Sequence, residues 1–160
     1  MGGIEDGTMH RHNGFRELDR GESLRLLSLV TIGRVIYTED ALPTVLPVHF
    51  LLDPDGAVLF QASAASHMAR AVRGAVVAFE ADHFDEAGHT GWSVVVTGRA
   101  SVVTNPVKEA RLRSSGPRPW LGTDDGVFIH VEPELVAGRV VDGNGYVPAE
   151  RVQLSPADMP

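Results

Sequence analysis

The spacing of the β-prone runs most constrains the fold. They are short, follow one another closely, and are separated by turns. Arg34–Thr38, Val45–Leu52, Ala57–Ala62, Ala75–Asp82 and Trp92–Asn105 are rich in β-forming residues, and "VFIHVEP" and "LVAGRVV" close the series. Between them, "EDALP", "DPDG", "HFDEAGHTG" and "GPRPWLGTDDG" supply Gly, Pro and Asp at turn positions. Parallel neighbours would need long crossover connections, usually helical, and the helical segments here are few. "DRGESLRLLSL" places Asp19 and Glu22 at capping-box spacing ahead of an apolar stripe of Leu24, Leu27 and Val30. Ser66–Arg73 can form a short helix capped by Ser66 and ended by Gly74. "PVKEARLRSS" puts Pro106 in a helical first turn. About six or seven strands without β–α–β alternation predict a mainly β fold, a closed antiparallel barrel with small helices. Pro47 confines its strand to an edge or a bulge, and Gly98 marks a kink or bulge in the longest run.

The 160 residues suit one domain. Residues 1–15 read as a polar, Gly-rich tail, 16–141 as the folded domain, and 142–160 as a polar Gly/Pro-rich tail. A net charge of −7 excludes a general nucleic-acid binder, whose binding face is basic. The absence of cysteine excludes disulfides and thiolate chemistry and fits a cytoplasmic location. The N-terminus has no apolar signal core, and no apolar run approaches the ~20 residues of a membrane span.

One stretch carries a candidate binding element. "QASAASHMARAVRG" (residues 61–74) joins a strand end to a capped helix through a loop of very small residues. Small side chains let a ligand reach the backbone, and a helix start favours an anion. The competing reading is a simple capped turn with solvated Arg70 and Arg73. The seven histidines form no HExxH pattern and no tight cluster, so no metal site is expected. Glu80, Asp82, Asp85 and Glu86 match no hydrolase spacing, and no Gly-x-Ser-x-Gly elbow or Walker loop occurs. No catalytic side chain is assigned.

The ordered set "GRV", "LPTVLPVHF", "VLFQASAASHMARAV", "FEADHFDEAGHTGWSVVVTGRA", "RPW" and "GRVV" resembles the pyridoxamine 5′-phosphate oxidase-like family of FMN-binding split β-barrels, from about Asp19 to Val141. The resemblance implies a six-stranded antiparallel split barrel that forms a homodimer, with flavin in grooves at the dimer interface. It implies that Pro47, Val48, His49 and Phe50, with Gln61, Ala62 and Ser63, run alongside the flavin ring and ribityl chain. Ser66, His67 and Met68 fall at the phosphate end, Trp92 and Ser93 line the groove, and Trp120 comes from the partner subunit. Relatives usually carry lysine where this chain has His67, and "PVNY" where it has "PVHF". The C-terminal Arg…His pair of true pyridoxamine 5′-phosphate oxidases is missing, so vitamin B6 oxidation is not expected. The reading is an FMN-dependent oxidoreductase acting on a small organic molecule. One alternative is a reductase using the deazaflavin F420, whose longer anionic tail would call on Arg70, Arg73, Arg111, Arg113 and Arg118. Another is a non-catalytic flavin or heme carrier, with His49, His67 or His83 as candidate axial ligands.

Overall fold

The computed structural model describes residues 11–12, 15–119 and 125–143. In chain order it contains β1 (Arg11–His12), β2 (Phe15–Leu18), α1 (Arg20–Leu27), β3 (Ile32–Glu39), β4 (Leu42–Leu52), β5 (Val58–Ser63) and α2 (His67–Val72). These are followed by β6 (Val76–Asp85), β7 (Thr90–Val102), α3 (Pro106–Ser115), β8 (Gly126–Val131) and β9 (Leu135–Asp142). Every strand pairing is antiparallel. The order β7–β6–β3–β4–β5–β8 returns to β7, which closes a six-stranded barrel. β9, β2 and β1 extend the sheet outward from the first half of β7. The β1–β2 ribbon thus uses residues 11, 12 and 15 of the expected N-terminal tail, while 1–10, 13–14 and 144–160 of the two tails lie outside the described residues.

The barrel interior is filled by alternate residues of each strand, as a two-faced sheet requires. Val35, Phe50, Phe60, Phe79, Val94, Val96, Ile129 and Val131 are almost fully buried there. The rings of Phe50 and Phe79 meet at 4.6 Å with a 59° tilt, a favourable aromatic arrangement. α1 has the expected capping box: the Glu22 N–H donates to Asp19 Oδ1 at 2.8 Å, and the Asp19 N–H to Glu22 Oε2 at 3.2 Å. Such a cap stabilises a helix by about 1 kcal/mol.

Two sequence signals resolve into specific geometry. The β6–β7 register runs unbroken from Val76↔Arg99 to Asp85↔Thr90, so Gly98 is not a bulge. It marks the point where β7 changes partner: Thr90–Thr97 pair with β9 and Ala100–Val102 with β8. A Cβ at Gly98 would lie 1.7 Å from the Glu132 carbonyl oxygen, so only glycine lets the β8–β9 connection cross here. "HFDEAGHTG", expected as a loop, is mostly strand: His83↔Trp92 and Phe84↔Gly91 pair before the turn. Its residues at 83–85 are exposed, so no apolar alternation betrays the ribbon.

On the outer face of β3 and β6, Arg34 sits 3.1 Å from Glu80 Oε2 and 3.5 Å from Asp82 Oδ1. Burial, and then the charge of Asp82, hold the Glu80 carboxyl above its ordinary range, against the pull of Arg34.

Candidate functional site

The site follows from where the barrel splits. β4 is paired with β3 from Leu42 to His49, but with β5 only through Phe50, Leu51 and Leu52. Past the Phe50–Phe60 pair the two strands part, and β5 continues with β8 alone. Proline takes part in this. The Phe50 N–H donates to the Thr31 carbonyl of the β3 side, so in an antiparallel strand the odd-numbered residues of β4 face the other way. Pro43 and Pro47 are odd, and the donors they lack would have pointed at the open edge.

A cleft of about 280 Å³ fills this split. Leu46, Pro47, Val48 and His49 of β4 form one wall, and Gln61, Ala62 and Ser63 of β5 the other, with Ser66 and Met68 at one end and Pro119 above. A second arm of about 380 Å³ adjoins it and shares Gln61 and Pro119. Leu112, Arg113, Pro117, Arg118 and Phe128 line the rest of that arm. The strap 117–119 separates the two arms. The Arg118 N–H donates to His49 Nδ1 at 3.2 Å. Neutral imidazole carries one proton, so the accepting Nδ1 leaves that proton on Nε2, making His49 a donor in the cleft.

The small-residue loop holds an anion of its own. Asp125 Oδ2 accepts from the Ser63 hydroxyl at 3.0 Å and from the Ala65 N–H at 3.3 Å, and its carbonyl accepts from the Ala64 N–H at 3.2 Å. Ser66 caps α2 as expected, its Oγ accepting from the Ala69 N–H at 3.0 Å. Arg70 turns back to the Ala65 carbonyl at 3.1 Å. His67 is exposed, with Nδ1 3.1 Å from Glu39 Oε1.

The split therefore brings together Pro47, Val48, His49, Gln61, Ala62, Ser63, Ser66 and Met68. Phe50 does not line it: its ring is in the core, and it holds the last β4–β5 pair before the strands part. His67 lies on α2 beside the cleft but does not line it. Trp92 and Ser93 are elsewhere in the chain's fold: Trp92 is buried on β7 and borders a separate hollow with His83, Thr90 and Val140. Trp120 lies outside the described residues. Asp125 and Glu39 carry no motif that would mark them. The signal for Asp125 is indirect: β5 pairs with β8 at Ser63↔Gly126, which sets the residue before Gly126 against the loop. Among the described residues no three metal-ligating side chains converge, and no helix is long and apolar enough to cross a membrane.

A family model described as pyridoxamine 5′-phosphate oxidase matches residues 19–141. The chain belongs to the pyridoxamine 5′-phosphate oxidase family. An uncharacterized protein of Mycobacterium tuberculosis is 43% identical over 131 residues, covering 78% of this chain and 85% of that protein. The FAD binding protein of Mycobacterium smegmatis is similar in structure, with a TM-score of 0.67 and 29% identity over 78% of this chain and 98% of that one. A conserved protein of unknown function from Corynebacterium diphtheriae has the same TM-score, with 31% identity over 81% of this chain and 99% of its own. The closed six-stranded barrel agrees with that membership.

Proposed function

We propose that the protein binds a flavin, FMN or a derivative of it, in the split between β4 and β5. On this reading it acts as a flavin-dependent oxidoreductase on a small organic molecule. The observation that carries this is the split cleft itself: Leu46, Pro47, Val48, Met68 and Pro119 provide apolar surface for a flat ring, with His49 and Gln61 as polar groups between them. Such a lining, mostly apolar with a few placed polar groups, is typical of cofactor sites. The family and the FAD binding protein of M. smegmatis support the same choice of ligand.

The flavin supplies the hydride chemistry when bound. The protein's part is position and electrostatics. With its proton on Nε2, His49 can donate a hydrogen bond to a bound ligand, Gln61 can donate or accept, and the Pro43–Pro47 edge keeps β5 from closing over the site. The phosphate end falls at the Ser63–Ser66 loop, where an entering phosphate displaces the Asp125 carboxylate.

A homodimer belongs to this proposal. The free edge of β4 exposes Leu42 (67%), Val45 (56%) and Leu46 (40%), an apolar ribbon that a second copy would cover. The F420 reading rests on a different observation, the second arm with Arg113 and Arg118, which a longer anionic tail could follow.

The decisive experiment is an absorbance titration of purified protein with FMN and with F420 separately. Saturable uptake of FMN with a shifted flavin band is expected. Uptake of F420 alone would move the protein to the deazaflavin reductases, and no uptake of either would overturn the flavin reading.

A further inference from the structure

The two ends of the cleft differ in electrical character. At the Ser63–Ser66 end, two carboxylates are already in place, Asp125 on the loop's donors and Glu39 on His67. At the other end, Arg118 lines the second arm, and its guanidinium has no hydrogen-bond or ion-pair partner among the described residues. Arg113 forms the adjacent wall. One of its nitrogens bonds Glu109 at 2.6 Å and the Gly126 carbonyl at 3.1 Å, and its guanidinium lies 5.7 Å above the centre of the Phe128 ring.

We infer that this second arm is an anion subsite for a phosphate or carboxylate carried by the molecule in the cleft, with Arg118 as its principal contact. The choice of that molecule rests on the flavin reading. Three features support the assignment. The arm is continuous with the cleft through Gln61 and Pro119, so one ligand, or two in contact, can occupy both. Its floor is apolar, built from Leu112 and Phe128, against which the uncharged part of a ligand can pack beside the exposed Arg118. Arg118 is held between two prolines of fixed φ, and its N–H is tied to His49, so its main chain is set before any ligand arrives. A guanidinium fork suits a planar carboxylate or a phosphate, which it can meet with two parallel bonds.

The anion is assigned to an acidic substrate beside the flavin ring, because the second phosphate of a dinucleotide flavin is bonded directly to the first and stays with it at the Ser63–Ser66 end. The full-length protein and its Arg118→Gln and Arg118→Lys variants test this. Inorganic pyrophosphate is first titrated into flavin-free protein and followed by NMR. Saturable shifts at Gln61 and Arg118 are expected, weakened roughly tenfold or more in Arg118→Gln and to an intermediate degree in Arg118→Lys, which keeps the charge but not the fork. No saturable response in the wild type, or equal affinity in Arg118→Gln, overturns the subsite. FMN and FAD affinities are then compared. A loss for FAD that spares FMN places the anion on the cofactor and overturns the substrate assignment. Unchanged affinities for both, with weaker pyrophosphate binding to FMN-loaded Arg118→Gln, assign it to the substrate. Pyrophosphate binding without uptake of either flavin keeps the subsite and overturns the flavin reading. Equal weakening of FMN and FAD with unchanged pyrophosphate affinity shows that Arg118 acts only through the strap, and overturns the proposal.

Discussion

The main-chain N–H of Arg118 bonds Nδ1 of His49 at 3.2 Å, across 69 residues of sequence. This bond fixes the strap over the cleft and selects the tautomer of the histidine. Two substitutions separate those roles. In His49→Asn the amide oxygen takes the place of Nδ1, so the strap stays tied while the Nε2 donor is lost. In His49→Gln the amide reaches the Nε2 position and the tie is lost. Hydrogen exchange at the Arg118 amide is expected to stay slow in His49→Asn and to accelerate in His49→Gln and His49→Ala. Equal protection in all three would show that the strap is held by something other than this bond.

On the proposed flavin reading, Asp125 competes for the same donors as an incoming phosphate. Asp125→Asn removes its charge, so FMN affinity should rise about three- to tenfold, while riboflavin, which lacks the phosphate, should be nearly unaffected. Paired FMN and riboflavin titrations check this. Parallel changes for the two ligands would place the phosphate away from the Ser63–Ser66 loop.

Glu39 and His67 test the same end from the other side. Glu39→Gln leaves the imidazole without its carboxylate partner, and His67→Lys installs a permanent charge. Each is expected to tighten FMN a few-fold relative to riboflavin, with a steeper dependence on salt in His67→Lys. FMN affinity that does not respond to either change separates His67 from the site.

The Arg34 cluster gives a pH-dependent stability. The folded Glu80 carboxyl takes up its proton at higher pH than in the unfolded chain, first because of burial and second because of Asp82. Lowering the pH through that raised range therefore protonates the folded state first and favours it. Arg34→Gln removes the counter-charge and pushes Glu80 higher still. It should cost about 1 kcal/mol at pH 7, and the deficit should shrink as the solution is acidified toward the raised Glu80 range. Denaturant melts across that range measure it. A deficit that is constant with pH would mean the carboxylates are not coupled to Arg34.

The open edge of β4 makes a prediction about assembly. Val45→Glu and Leu42→Glu place charge on the exposed apolar ribbon, at positions outside the buried core. The wild type is expected to sediment as a dimer and both variants to shift toward monomer, with weaker flavin uptake. A monomeric wild type would remove the second copy from the site.

Much of this molecule is legible in its sequence because the relevant signals are local. The Asp19–Glu22 box, the Ser66 cap and the alternation in β3 and β6 each need only a few neighbouring residues to be read. Pro47 announces a strand that cannot be paired on both sides, and the split lies there. The β6–β7 ribbon is harder, since a two-stranded arm exposed to water needs no apolar period. Harder still are the contacts that close over long distances. Asp125 with Ser63, Arg118 with His49, and Glu39 with His67 join residues whose nearness depends on the barrel being closed. Nothing in their own surroundings announces them.

The loop at Ala64 and Ala65 is never empty in this fold, because the chain supplies its own guest. Loading a phosphate there is an exchange, one oxyanion for another, in which the count of hydrogen bonds changes little. On the proposed reading, affinity would be a small difference between two comparable occupants, and Asp125 would have to leave before a cofactor phosphate could enter. A protein arranged in this way can remain well folded without its cofactor, and can release the cofactor without leaving bare donors behind.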